Sequence, residues 1–158
     1  MVTIGQAPRI DLTPEIKSIL GDDIQIIEKG ALDGLSLEEI KELYPENDKD
    51  VLVTRMADSS QVKVSERLIY PKLKEKINSL WEQGINIILL ACTGKFQDEK
   101  FQPLVIKPQK VLYNVVSSIA MDYKLGVLVP DESQKSSAII RWADSAEKVL
   151  VEAASPYD

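Results

Sequence analysis

The residues best suited to chemistry form one run, Cys92-Thr93-Gly94. A thiol can act as a nucleophile or as an acid or base at carbon, and the neighbouring hydroxyl and backbone N–H groups can stabilise an anion. A cysteine at the end of an apolar run also occurs as a small buried hydrophobic residue. The run therefore predicts either a reactive thiol or a structural one, and the residues alone leave both open.

Polar residues with binding potential follow other predicted strands. Arg9 and Arg55 can each hold a carboxylate through two parallel hydrogen bonds, although arginines near acidic residues commonly form ion pairs instead. A nearby guanidinium is also expected to lower the pKa of the Cys92 thiol. The other candidates for substrate binding are Gln6, Ser59, Ser60 and Gln134. Because ligands of α/β sheets bind beyond the carboxyl ends of the strands, we expect one cavity for a small anion there.

Several mechanisms are excluded by composition. The chain has no histidine, which excludes Ser-His-Asp triads, Cys-His dyads and zinc sites that need imidazole. The glycines of segment 30–34 lack the spacing of a dinucleotide fingerprint and the lysine of a phosphate-binding loop. Acidic pairs such as Glu38 and Glu39 fall at predicted helix starts, where the helix dipole explains them. We therefore predict no metal site and no cofactor.

Charge and hydropathy predict the environment of the protein. A formal net charge of −6 argues against nucleic acid as a partner but allows a local positive pocket. The longest apolar stretch is far shorter than the roughly 20 residues needed to cross a bilayer, so no membrane partner is expected. A single cysteine and a first segment unlike a signal peptide favour the cytoplasm.

Short apolar runs alternate with helical segments, which predicts an α/β fold with a mostly parallel sheet flanked by helices. The predicted strands are 1–5, 23–28, 50–55, 61–64, 85–91, 104–106, 125–129 and 148–153. The predicted helices are 10–20, a short one from 37, 66–83, 108–123 and 132–143. The runs 50–55 and 61–64 are spaced as a hairpin, and the first, second, third and fifth strands are expected to share the central sheet.

Local signals set several helix ends. Ser36 and Glu39 have the spacing of a capping box, and Ser65 is suited to cap the long helix that follows it. Gly21 and Gly84 stand where the helices before them should end. Thr13 is a further candidate cap.

Five motifs, spread in order over essentially the whole chain, resemble the AroM family, a group within the aspartate/glutamate racemase superfamily. They are TIGQAPR, GALDGLS, LVTRMADSSQV, ILLACTG and LGVLVPDESQK. The resemblance implies two pseudo-symmetric α/β halves with a small anionic substrate, a carboxylate, held between them. In the superfamily one cysteine from each half moves a proton at carbon without a cofactor, and Cys92 stands where the first belongs.

The family pattern continues past the segment ASPY, residues 154–157, whereas this sequence ends at Asp158. The resemblance thus implies a first half over residues 1–124 and an incomplete second half over 125–158. With one cysteine, this chain is not expected to be competent for two-base racemisation. One-sided proton transfer or covalent attack stays open, and the alternative is a non-catalytic protein that binds or senses a small anionic metabolite.

The last predicted strand, 148–153, has no following segment to cover it within this sequence. An uncovered apolar face and an open strand edge favour self-association. We therefore expect a homo-oligomer that buries residues between 125 and 157.

Overall fold

The computed structural model describes residues 1–47 and 50–155, an α/β arrangement in which short strands alternate with helices. The strands are β1 (Val2–Thr3), β2 (Lys29–Gly30), β3 (Val51–Arg55), β4 (Gln61–Ser65), β5 (Ile87–Leu89), β6 (Leu104–Ile106), β7 (Lys124–Val129) and β8 (Lys148–Ala153). The helices are α1 (Thr13–Leu20), α2 (Leu37–Lys41), α3 (Glu66–Glu82), α4 (Pro108–Ile119) and α5 (Lys135–Trp142). Turns of 3₁₀ helix at Glu132–Gln134 and Ala143–Ser145 flank α5.

The strands pair in twos. Three pairs are parallel, namely β1 with β2, β5 with β6 and β7 with β8, whereas β3 and β4 form the antiparallel hairpin predicted from the sequence. A single parallel bridge between Val2 and Leu90 brings β1 beside the end of β5. The α/β class is therefore confirmed, in the form of small parallel and antiparallel sheets.

Two expectations about the sheet were wrong. Segment 23–28 is not a strand; the pairing with β1 is made by Lys29–Gly30, because the Lys29 N–H donates to Met1 O and the Ala31 N–H to Thr3 O. The third predicted strand does not join a parallel sheet either. It becomes β3, whose ladder runs antiparallel to β4, and the Gln6 N–H of the neighbouring first segment donates to Arg55 O at the end of β3.

Several helix ends are set by residues close to them in the sequence. Ser36 and Glu39 form the predicted capping box, and the Ser65 hydroxyl accepts from the Leu68 N–H. Gly21 and Gly84 both have positive φ, which suits glycine at these helix ends. Thr13 does not cap α1: Leu12 occupies that position without a side-chain hydrogen bond.

The larger hydrophobic core lies between α3 and the strands of the first part of the chain. Its fully buried members include Val2, Leu32, Leu73 and Ile88, and α3 contributes five buried side chains. A second cluster joins Val129, Ala138, Trp142 and Val151, with Tyr113 and Val116 of α4 packed against it. Helix α4 precedes residue 125 and yet packs on this second cluster. The division into residues 1–124 and 125–158 stays a prediction.

Candidate functional site

Cys92 lies just past β5, where the chain turns away from the sheet. Hydrogen bonds from Ala91 N–H to Val2 O and from Cys92 N–H to Leu90 O fix the backbone on either side of this turn. The Gly94 N–H donates to Cys92 Sγ at 3.3 Å. A Cβ at Gly94 would come within 2.8 Å of Leu52 Cδ2, so the glycine lets the loop lie close to β3.

The loop after Cys92 is fastened to α3. The rings of Tyr70 and Phe96 stack with centroids 5.9 Å apart, and Tyr70 Oη donates to Glu99 Oε2 at 2.9 Å. Burial and this contact with Glu99 raise the pKa of Tyr70 to about 12, so the phenol keeps the proton that it donates. The stack and the hydrogen bond together hold the Cys92 loop over the start of the helix.

The Cys92 thiol is protonated at neutral pH. Burial raises its pKa from 9.0 to about 11, against the weaker lowering effect of the Gly94 N–H. Arg9 also lowers the pKa, but less than burial raises it, and Arg55 is not among the groups that influence the thiol. Arg9 thus acts in the direction that the sequence suggested, but desolvation of the thiolate outweighs the field of the guanidinium, and the net pKa is raised.

A cavity of about 380 Å³ opens beside Cys92. The sequence-predicted residues that line it are Cys92, Thr93, Gly94 and Gln134. Gln134 Nε2 donates to Val51 O at 2.8 Å and so holds the start of α5 against β3. The charged residues at the cavity are Asp50, Glu66, Lys95 and Arg141.

Arg141 is the cation best placed in this cavity. It lies on α5, is half-buried, and makes no hydrogen bond or ion pair within the described residues. Burial lowers the pKa of its guanidinium, while the nearby Glu66 opposes that effect. A partly desolvated guanidinium whose hydrogen bonds are not taken by the described residues is a strong binding group for a carboxylate, which it can hold through two hydrogen bonds.

Glu66 is the second half-buried charge at the cavity. Burial raises the pKa of its carboxyl group, Asp50 adds to this effect, and Arg141 and Lys95 act against it. Within residues 1–47 and 50–155 its carboxylate has no hydrogen-bond or ion-pair partner. A carboxylate in this setting can exchange protons with a bound molecule.

Arg9 lies at a different cavity, of about 500 Å³, which shares Cys92 and Thr93 with the first. Its guanidinium donates to both carboxylate oxygens of Asp11, at 2.8 and 2.7 Å, and to Thr3 Oγ1 at 3.1 Å. These bonds hold the pKa of Asp11 below its usual value. Arg9 therefore pairs with an internal carboxylate in this structure.

Four other sequence-predicted residues lie in or against the turn between β3 and β4, and none of them lines either cavity: Gln6, Arg55, Ser59 and Ser60. Arg55 Nε donates to Ser59 O at 3.1 Å, and Ser59 has a φ of 71°. The Ala57 N–H donates to Gln6 Oε1 at 2.8 Å. The Ser60 hydroxyl donates to Asp58 at 2.6 Å, which lowers the pKa of that carboxyl group.

The sequence reasoning missed Glu66 and Arg141. Glu66 follows a predicted strand and a predicted cap directly, so the rule that favours residues at strand ends could have found it. Arg141 lies near the end of a helix, and no local pattern distinguishes it from a surface arginine.

The described residues show neither a metal-binding cluster nor a membrane-spanning helix. No group of three or more His, Cys, Asp or Glu residues within it could hold a metal ion. No helix in it is long and apolar enough to cross a membrane.

The chain is similar to a known protein family. The family model described as AroM protein matches residues 1–158. No curated protein and no solved structure matches the chain.

Proposed function

This chain belongs to the AroM family, and we propose that its Cys92 cavity binds a small carboxylate and supports cofactor-independent proton transfer at carbon. The reaction class is that of racemases and isomerases, which the resemblance to the aspartate/glutamate racemase superfamily suggests. The residues that carry the proposal are Cys92 and Arg141.

The observation that carries it is the guanidinium of Arg141, which lies unpaired and half-buried at the cavity that Cys92 lines. A ligand carboxylate there would gain charge-assisted hydrogen bonds, each stronger than a neutral one. The cavity of about 380 Å³ falls in the range of small-molecule sites. Thr93 and Gly94, which were both predicted from the sequence, also line this cavity.

Cys92 has the protonation state of an acid rather than a base. With a pKa raised to about 11, its S–H group is intact at neutral pH and can give a proton to a carbanion-like carbon. Arg141 would stabilise the negative charge that develops on the carboxylate during that step. Proton transfer from the thiol becomes favourable only when negative charge develops on the bound ligand.

Exchange of the α-proton tests this proposal. D- or L-aspartate and D- or L-glutamate are incubated with the protein in deuterated water, and loss of the α-proton signal is followed by NMR. We expect exchange with at least one of the four, and we expect Cys92→Ala to slow it. Binding of a probe without any exchange would contradict proton transfer.

A second candidate function is a protein that binds or senses a small anionic metabolite without catalysis. The observation that favours it is the raised pKa of Cys92, because very little thiolate exists at neutral pH to take a proton from carbon. The same experiment separates the two functions: affinity without exchange identifies the binding protein.

We also propose self-association through the last part of the chain. On β7 and β8 the side chains of Leu128 and Leu150 are 75% and 53% exposed, and each strand has one ladder partner within the described residues. An exposed apolar face beside open strand edges favours a second copy. Sedimentation that shows only monomers at high concentration would contradict self-association.

We also propose a cytoplasmic location, which cell fractionation tests.

A further inference from the structure

We propose that Glu66 is a second proton-transfer residue of the Cys92 cavity, taking a proton from the substrate carbon to which Cys92 gives one. The inference rests on the proposed function and extends it. A carboxylate supplies a base of another kind.

The position of Glu66 is fixed by its neighbours. It is the first residue of α3, and its N–H donates to Asp50 O at 2.7 Å. The preceding Ser65 hydroxyl caps the helix through the Leu68 N–H at 3.3 Å and also contacts the Asp50 carboxylate. The backbone that carries Glu66 is therefore held while its side chain lies at the cavity.

Glu66 is also free to react. Its half-buried carboxylate lines the same cavity as Cys92 and Arg141, and no described residue hydrogen-bonds or ion-pairs with it. The charged groups within its electrostatic reach are Arg141, Asp50 and Lys95, and its own charge raises the pKa of Cys92. The site thus combines an intact thiol with a carboxylate that has no structural partner.

The protons balance without an oxidant, reductant or cofactor. The C–H bond breaks, its proton goes to a Glu66 oxygen, and its electron pair enters the substrate carboxylate as an enediolate beside Arg141. The S–H bond of Cys92 then breaks as a new C–H bond forms. Water returns a proton to the thiolate and removes one from Glu66, which restores both groups.

Variants of Glu66 test the inference by the rate of α-proton exchange and by affinity, measured on the four aspartate and glutamate probes. We expect Glu66→Gln to slow exchange by about 100-fold or more, the usual scale of a general base, with affinity changed less than about threefold. Glu66→Asp keeps the carboxylate and should retain part of the rate. The matched control is Glu38→Gln, an exposed glutamate in the first turn of α2, which should exchange at the wild-type rate.

Each result has a distinct meaning. Exchange by Glu66→Gln within about threefold of wild type, with Cys92→Ala slowed, overturns the role of Glu66 and leaves the proposed function standing. Binding without exchange in the wild type overturns proton transfer by either residue. Absence of binding to all four probes overturns the proposed function itself, and this inference with it.

Discussion

Alkylation of Cys92 by iodoacetamide at about pH 8 is expected to be roughly 100-fold slower in the folded protein than in the unfolded chain. The thiolate is the reacting species, and burial raises the pKa of the thiol from 9.0 to about 11. Two pKa units reduce the thiolate fraction at this pH by about a hundred. Mass spectrometry of timed samples, with and without denaturant, gives both rates.

The same shift has a consequence for stability. The folded protein holds the thiol proton more tightly than the unfolded chain does. The contribution of this proton to the free energy of unfolding is therefore fully present below about pH 9 and is lost as the pH rises towards 11. Cys92→Ala removes the titrating group and should flatten that part of the stability curve. Equal alkylation rates in the folded and unfolded protein would show that the thiol is neither desolvated nor protected.

Arg141→Gln is expected to weaken binding of a small carboxylate by about 10- to 100-fold. A hydrogen bond to a charged group contributes about 1.5–3 kcal/mol, and its loss changes the dissociation constant on this scale. The matched control is Arg67→Gln, since Arg67 is exposed on α3 and does not line the cavity. Calorimetric titration with aspartate and glutamate measures both variants. Equal affinity in the two would exclude Arg141 as the anion-binding group.

The parts of the fold that local chemistry determines could be predicted from the sequence. The capping box of Ser36, the cap at Ser65 and the glycine ends at Gly21 and Gly84 depend on residues a few positions apart. Strands Leu104–Ile106 and Lys148–Ala153 have the predicted bounds. In these places the side chain and the backbone group that it satisfies are close in sequence.

The pairing of strands could not be predicted in the same way. β2 consists of the two residues that pair with β1, whereas segment 23–28, whose apolar pattern predicted a strand, forms no ladder. Likewise, among the described residues β3 pairs antiparallel with β4 and forms no ladder with the other strands expected in the central sheet. Pairing depends on distant segments that compete for the same hydrogen bonds.

The residues around Cys92 could be predicted from the sequence, but the charged residues of its cavity could not. Cys92, Thr93, Gly94 and Gln134 come together at one cavity because their loops follow β5 and β7. Arg9 and Arg55 have the right chemistry, but Asp11 lies within ion-pair distance of both. Only the packing of α5 on the strands shows that Arg141 reaches the cavity.

Amide NMR spectra recorded during titration with aspartate or glutamate test most directly whether the Cys92 cavity binds a small carboxylate. We predict that saturable shifts concentrate at Thr93, Gly94, Gln134 and Arg141, and that they disappear in Arg141→Gln. Shifts centred instead on the β3–β4 turn, at Arg55 and Ser59, would contradict binding at the Cys92 cavity. The absence of saturable shifts with either ligand would contradict it too.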